Sequence, residues 1–271
     1  MKSYICLTFF LLVTYSVLGS PDIKIYYEQT PNGYSVIANN KEFCPVSVKL
    51  MLDLTNLRSV NGNNKVFVIP AQSEKIKLTD LVVINSRKAY GYKSNTIYNY
   101  GNHNQREYDI NFSYQLPFKT GESYLVGQGY NGSTTHQNKN ALDFEMSIGT
   151  EIHAARGGIV ISVVENNNQG CAREECKKYN NFIIIQHEDG TFAEYVHLKQ
   201  NGVIVAPGDL VIAGQHIGYS GNTGWSSGPH LHFQVYLQKI DSRRTIKTKF
   251  LTGGSQQAKM LKENESYTKE Y

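Results

Sequence analysis

The chain has no basic block. Its 27 Lys and Arg against 23 Asp and Glu leave a formal charge of +4, and the basic residues are scattered. That removes the electrostatic footprint of a nucleic-acid binder, and no nucleic-acid partner is expected. Beyond the first twenty residues no apolar run is long enough to span a bilayer, so no stable membrane insertion is expected. Helical periodicity is scarce, and no internal repeat or long low-complexity tract is visible. Cysteine is sparse as well, with four in 271 residues.

What is present begins with a leader. Lys2 supplies a positive start, Ile5 to Val13 is almost continuously apolar, and Val17-Leu18-Gly19 resembles a small-residue cleavage site. Residues 1–19 are therefore expected to be a signal peptide, and the mature protein to be exported to a periplasmic or extracellular location. Cys6 lies inside the apolar run and not at its end, which does not favour a lipid anchor. Export means an oxidising compartment. Of the remaining cysteines, Cys171 and Cys176 share a polar stretch and are expected to close a small disulfide loop, leaving Cys44 unpaired. Zinc ligation by Cys171 and Cys176 is the rival reading; no second Cys or His pair lies nearby at finger-like spacing.

The body of the chain reads as all-β. Short alternating or apolar runs recur between Gly, Asn, Asp and Pro, among them Val46 to Leu54, Lys65 to Ile69, Glu74 to Leu78, Ile159 to Val164, Phe182 to Gln186 and Phe233 to Leu237. Abundant tyrosine suits half-buried strands. A boundary is expected near Leu116-Pro117-Phe118, separating a β-sandwich-like domain over residues 20–117 from a second domain over 118–254. Residues 255–271 are polar and charged and are expected to form a loose tail. His103 is the one histidine before the boundary and is expected at the surface; the other seven follow it.

Chemistry concentrates in the second domain. In Gly228-Pro-His230-Leu231-His232-Phe233, strand alternation points His230 and His232 to one face and Leu231 and Phe233 to the other. Upstream, His136-Gln-Asn-Lys-Asn-Ala141-Leu142-Asp143-Phe144 offers an imidazole from a polar loop and a carboxylate from an alternating strand. His136, Asp143 and His232 form a three-ligand set suited to Zn²⁺, one ion per chain, with a fourth position left open. His230, two residues from His232 on the same face, can sit beside such a metal without binding it. His197, in Glu194-Tyr195-Val196-His197-Leu198, is a second candidate, to donate to an oxyanion or to orient a water; alternation would put it on the face of Tyr195.

These motifs, in this order, resemble the zinc endopeptidases of the lysostaphin/LytM type, the M23 peptidase family. Gly149-Thr-Glu-Ile-His-Ala-Ala-Arg-Gly157, Gly190-Thr-Phe-Ala-Glu-Tyr195, Pro207-Gly-Asp209 and Gly218-Tyr-Ser-Gly221-Asn-Thr-Gly224 extend the resemblance over residues 120–240. The resemblance implies a compact antiparallel β domain with a cleft across its sheet. It implies zinc on His136, Asp143 and His232, His230 as general base, and His197 assisting the transition state. It implies hydrolysis of peptide bonds in the stems or cross-bridges of bacterial peptidoglycan, and an N-terminal β-sandwich of the kind that precedes this domain in some members. The seven-residue step from His136 to Asp143 is longer than the short His-x-x-x-Asp form of the best-known members. A non-catalytic cell-wall binder or hydrolase regulator of the same fold is the alternative; it needs neither His197 nor His230. A peptidase acting on exported proteins is a second alternative.

Other residues carry weaker expectations. His153, His187 and His216 are expected to be structural or surface residues. Trp225 is expected either to line a substrate groove or to anchor its loop, and Tyr195 to serve ordinary strand packing. The Asn-x-Ser sequons at Asn111, Asn131 and Asn264 would carry no weight in the bacterial protein that the resemblance implies. No residue before Leu116 stands out as a ligand that would block the metal.

Overall fold

A computed structural model describes residues 21–253 and 258–271. The expected signal peptide lies outside the described residues. The chain is all-β, with one short 3₁₀ turn, Glu174–Tyr179, among the described residues. No helix there is long and apolar enough to cross a membrane.

Residues 23–100 make two antiparallel sheets. One orders the strands Ile23–Thr30, Gly33–Asn40, Ser73–Val83 and Leu57–Ser59; the other orders Lys65–Ile69, Val46–Thr55 and Gly91–Tyr100. Val36, Ala38, Val48, Leu50, Ile69 and Leu78 meet between them in a shared core. Alternation accounts for this packing: in Val46–Thr55, Val48, Leu50 and Leu52 point inward.

The second module is built on a nine-stranded sheet. Its path runs Leu210–Val211, Gly158–Val164, Phe182–Gln186, Phe192–Val196, His230–Gln238, Ala141–Glu145, Ser123–Gln128 and Ser266–Thr268, and Arg243–Ile246 adds to the His230 strand. One face of this sheet carries the main core, where Leu142, Phe144, Tyr195, Leu231 and Phe233 pack with Phe118 and Phe250. A three-stranded sheet of Glu151–His153, His216–Ser220 and Leu198–Val203 contributes Ile152, Ile217 and Leu198 to that core.

The opposite face is shared. At one end it bears the histidines of the site. At the other, Phe192 and Tyr236 pack with Cys44, beside Tyr100 from the last sandwich strand. The sandwich is therefore docked on the face that carries the site. The connection is tied down: Asp109 N–H donates to Asp189 Oδ2, Gln105 Nε2 donates to the Asp189 carbonyl, and Arg156 pairs with Asp189 at 2.8 Å while lying 3.8 Å from the Phe112 ring centroid.

Three expectations change. Tyr114 and Leu116 belong to the second core, upstream of the expected boundary at residue 117. His103 is half-buried at the junction, its Nδ1 accepting from Ile240 N–H and its carbonyl accepting from Lys239 Nζ. The C-terminal segment is not a loose tail. Ser266–Thr268 pairs with Ser123–Gln128 as an edge strand, and Leu261 and Tyr267 are buried in the main core. Its polar composition hid this because alternate residues face solvent and only a few side chains need to be apolar.

The disulfide between Cys171 and Cys176 is formed, and Cys44 is free and buried. This removes the reading of Cys171 and Cys176 as zinc ligands.

Candidate metal centre

Register assembles the centre. Antiparallel pairing of Ala141–Glu145 with His230–Gln238 sets Asp143 directly opposite His232. Directly opposed residues share a face and approach closely. His232 Nδ1 lies 2.9 Å from Asp143 Oδ1. His136 comes from the loop before the Asp143 strand, buried to 1% exposure, with Nε2 3.2 Å from Asp143 Oδ1 and 3.2 Å from His232 Nδ1. The three ligand atoms lie within 4.8 Å of one another, and this is the one such group of His, Cys, Asp or Glu among the described residues.

Two of the ligands, His136 and Asp143, are held from behind. His136 Nδ1 faces the Gly129 carbonyl at 3.0 Å, so it carries the proton and leaves the Nε2 lone pair facing inward. Asp143 Oδ2 accepts from Gln128 Nε2 at 2.9 Å. Gln128 also binds Thr135 through both ends of its amide, fixing the residue before His136. The His136 loop is closed by Asn131 N–H donating to the Lys139 carbonyl and Lys139 N–H donating to the His136 carbonyl. This closure accommodates the long step between the two ligands.

Burial opposes ionisation of Asp143, but the hydrogen bonds and charges of His136 and His232 outweigh it and hold the carboxyl well below its usual range. For His136, burial disfavours the charged ring, and Asp143 overcomes it and raises the pKa. Two imidazoles and a carboxylate thus converge on one point. Two imidazole nitrogens and a carboxylate oxygen are a donor set that holds a metal cation.

Two further histidines flank the set. His230 Nε2 lies 3.8 Å from Asp143 Oδ1, and its Nδ1 faces the Gly228 carbonyl at 2.8 Å and Ser226 Oγ at 3.2 Å. The Gly228 carbonyl thus engages Nδ1 and leaves Nε2 turned toward the centre. The His197 ring lies tilted 4.6 Å from His230 and edge-on 6.0 Å from His232, centroid to centroid. It does not arrive by alternation. The strand ends at Val196, and His197 turns with φ 67°, which swings it from the core side to the site side. Tyr195, its expected face partner, is instead fully buried against Phe233, with its hydroxyl accepting from Ala155 N–H. His197 Nδ1 faces the Thr223 carbonyl at 2.7 Å. Burial, with His230 and His232 close by, pushes its pKa down to about 3.

Thr223 is itself fixed. Its hydroxyl donates to the Leu198 carbonyl and accepts from Asn181 N–H. The disulfide loop supports this corner: Gly170–Cys171 pairs with Gly224–Trp225, and Asn180 Oδ1 accepts from Trp225 N–H. Trp225 is thereby anchored through its backbone, with its side chain half-exposed. Along the same sheet face, next to His232, Glu194 accepts from Gln234 and pairs with Arg243 at 2.7 Å. The other histidines lie outside the centre. His153 stacks on His216, and His187 is buried, donating from Nδ1 to the Gly157 carbonyl.

The sequence pointed to His136, Asp143, His197, His230 and His232, and the fold brings all five together. It gave no sign of Gln128, Gly129 or Ser226, because a strand glutamine, a loop glycine and a loop serine are ordinary there. Thr223 stood within a quoted motif, but its backbone contact with His197 has no sequence signature.

Residues 137–243 match the profile of peptidase family M23. His136 stands immediately before that range, so its place in the centre rests on geometry. A protein named "Uncharacterized metalloprotease" from Buchnera aphidicola subsp. Baizongia pistaciae is 30% identical over 58% of this chain and 42% of its own length. The peptidoglycan DD-endopeptidase ShyA of Vibrio cholerae is 34% identical over 36% of this chain and 20% of its own. Among solved structures, the catalytic domain of the antimicrobial peptidase lysostaphin from Staphylococcus simulans is 30% identical, with 46% of this chain and 87% of that chain covered and a TM-score of 0.34. The chain spans less than half the length of the two curated relatives.

Proposed function

We propose that this chain, which belongs to peptidase family M23 through residues 137–243, is an exported zinc endopeptidase that hydrolyses peptide bonds in bacterial peptidoglycan. The observation that carries the reading is the convergence of His136, Asp143 and His232 with two further imidazoles alongside. A tetrahedral zinc with bonds near 2.0–2.1 Å needs ligand atoms roughly 3.3 Å apart, and the observed separations are 2.9, 3.2 and 3.2 Å. The peptidoglycan substrate is drawn from ShyA, whose name states it.

A zinc ion on these three residues would supply Lewis-acid chemistry, polarising a peptide carbonyl and acidifying a water. The chain supplies the rest. His230 accepts a proton at Nε2, its Nδ1–H being committed to the Gly228 carbonyl, and returns that proton to the leaving amine. His197 has the same tautomer, with Nδ1–H committed to Thr223. Its neutral Nε2 is an acceptor, which favours a role in orienting the attacking water over donation to an oxyanion. A non-catalytic binder would have no use for either arrangement.

The test is digestion of purified peptidoglycan, with products read by mass spectrometry. Stem or bridge fragments should appear with wild type, vanish with chelator and return with added zinc. His230→Ala should retain one zinc per chain and lose activity by about 10²–10⁴-fold, the usual contribution of a general base. Full zinc occupancy with no fragments from any peptidoglycan would refute the enzymatic reading.

A further inference from the structure

A side chain of the C-terminal segment, well outside the metal-site loop, reaches the residue whose carbonyl orients His136. Glu263 Oε2 accepts from Gly129 N–H at 2.9 Å. The carbonyl of the same Gly129 accepts from His136 Nδ1 at 3.0 Å. Gly129 is buried, so its N–H has no ready substitute partner in solvent. The approach also depends on the missing side chain: a Cβ on residue 129 would stand 3.1 Å from Glu263 Cβ and 3.3 Å from Glu263 N. Backbone bonds fix the chain on either side of Glu263: Lys262 N–H donates to the Tyr267 hydroxyl before it, and after it Asn264 N–H donates to the Val126 carbonyl and Val126 N–H to the Glu265 carbonyl. The segment lies beyond residue 243, where the family match ends.

We infer that Glu263 is a positioning residue for the metal ligand His136, acting through Gly129. The inference rests on the metal-centre reading above. Glu263 touches neither metal nor substrate. Its carboxylate holds the peptide unit on the N-terminal side of Gly129 Cα, and through that Cα it restrains the carbonyl, also held by Gly132 N–H at 3.1 Å, that sets the tautomer and tilt of the imidazole. Such outer contacts govern metal affinity because a ligand that must be reoriented binds more weakly. Glu263 itself is exposed, so replacing it removes an acceptor without opening a cavity.

The experiment uses the full mature chain and compares wild type, Glu263→Ala, Glu263→Gln and His136→Ala. Zinc affinity is measured by competition with a chromophoric chelator, the cobalt-loaded proteins are compared by electronic spectrum, and the metal-free proteins are melted. Glu263→Ala should weaken zinc binding by about tenfold and alter the cobalt bands, with the metal-free melting point unchanged. Glu263→Gln keeps an acceptor oxygen and should restore both within about twofold. Wild-type affinity in Glu263→Ala overturns the inference while leaving the metal centre intact. So does a loss that Glu263→Gln fails to restore, or one that follows a lowered metal-free melting point. If wild type and His136→Ala bind zinc equally, the metal-centre reading itself fails.

Discussion

At the scale of single residues, the histidines divide by what their second nitrogen touches. His136, His197 and His230 each turn Nδ1 to a backbone carbonyl and free Nε2 for the centre. His187 also turns Nδ1 to a carbonyl, but its Nε2 is buried without a partner. Burial pushes its pKa down to about 4. In the unfolded chain the same ring binds a proton below about pH 6.5. The unfolded state therefore holds more protons than the native state between pH 6.5 and 4, and stability falls as pH falls through that window. The loss attributable to His187 is about 3 kcal/mol by pH 4. Urea unfolding at pH 7, 6, 5 and 4 should give a shallower acid decline for His187→Gln than for wild type. Equal declines would mean that His187 is protonated in the native protein. The same scale explains what the sequence revealed. Asp143 and His232 were readable because both lie in regular strands whose alternation survives in the fold. His197 was placed by motif and not by geometry, since one left-handed residue reversed its face.

At the scale of elements, the centre depends on segments that contribute no ligand. The loop closed by Cys171–Cys176 pairs with Gly224–Trp225, next to the residue whose carbonyl holds His197. A cross-link over so short a loop restricts the unfolded chain by about 2 kcal/mol in the loop-entropy account. The double variant Cys171→Ser, Cys176→Ser should lose roughly that much stability in urea. It should also lower kcat while leaving zinc content at one per chain, because the loosened corner carries His197 and not a ligand. Loss of zinc together with activity would show that the loop supports the ligands directly. The edge strand Ser266–Thr268 teaches a related lesson. Tyr267 is its single large apolar residue, flanked by exposed neighbours. Three residues with one inward side chain give too little pattern for a strand to be legible, whereas Phe182–Gln186 with three successive isoleucines was read to the residue.

At the scale of the whole molecule, the sandwich and the site share a sheet face, which neither module's strand pattern could disclose. Phe192 and Tyr236 look like ordinary core residues in sequence; here they are the floor on which Cys44 and Tyr100 rest. Gly101 lies at this contact with φ 85°, and a Cβ there would meet the Phe192 ring at 2.8 Å. Gly62 has the same φ of 85° but no atom within 4 Å of its would-be Cβ. The two glycines separate backbone strain from wedging. A valine at either position carries a similar left-handed penalty, on the order of 1–2 kcal/mol. Only the one at 101 also pries the modules apart. The single tryptophan, Trp225, reports on the second module alone, whereas far-ultraviolet circular dichroism reports on both. If the shared face couples the modules, wild type and Gly62→Val should each unfold with the two signals coincident. In Gly101→Val the circular dichroism transition should begin at lower denaturant than the fluorescence transition. Coincident signals in Gly101→Val would mean that Phe192 yields without loss of docking. Separated signals in wild type would mean that the junction, for all its hydrogen bonds to Asp189, does not join the modules into one cooperative unit.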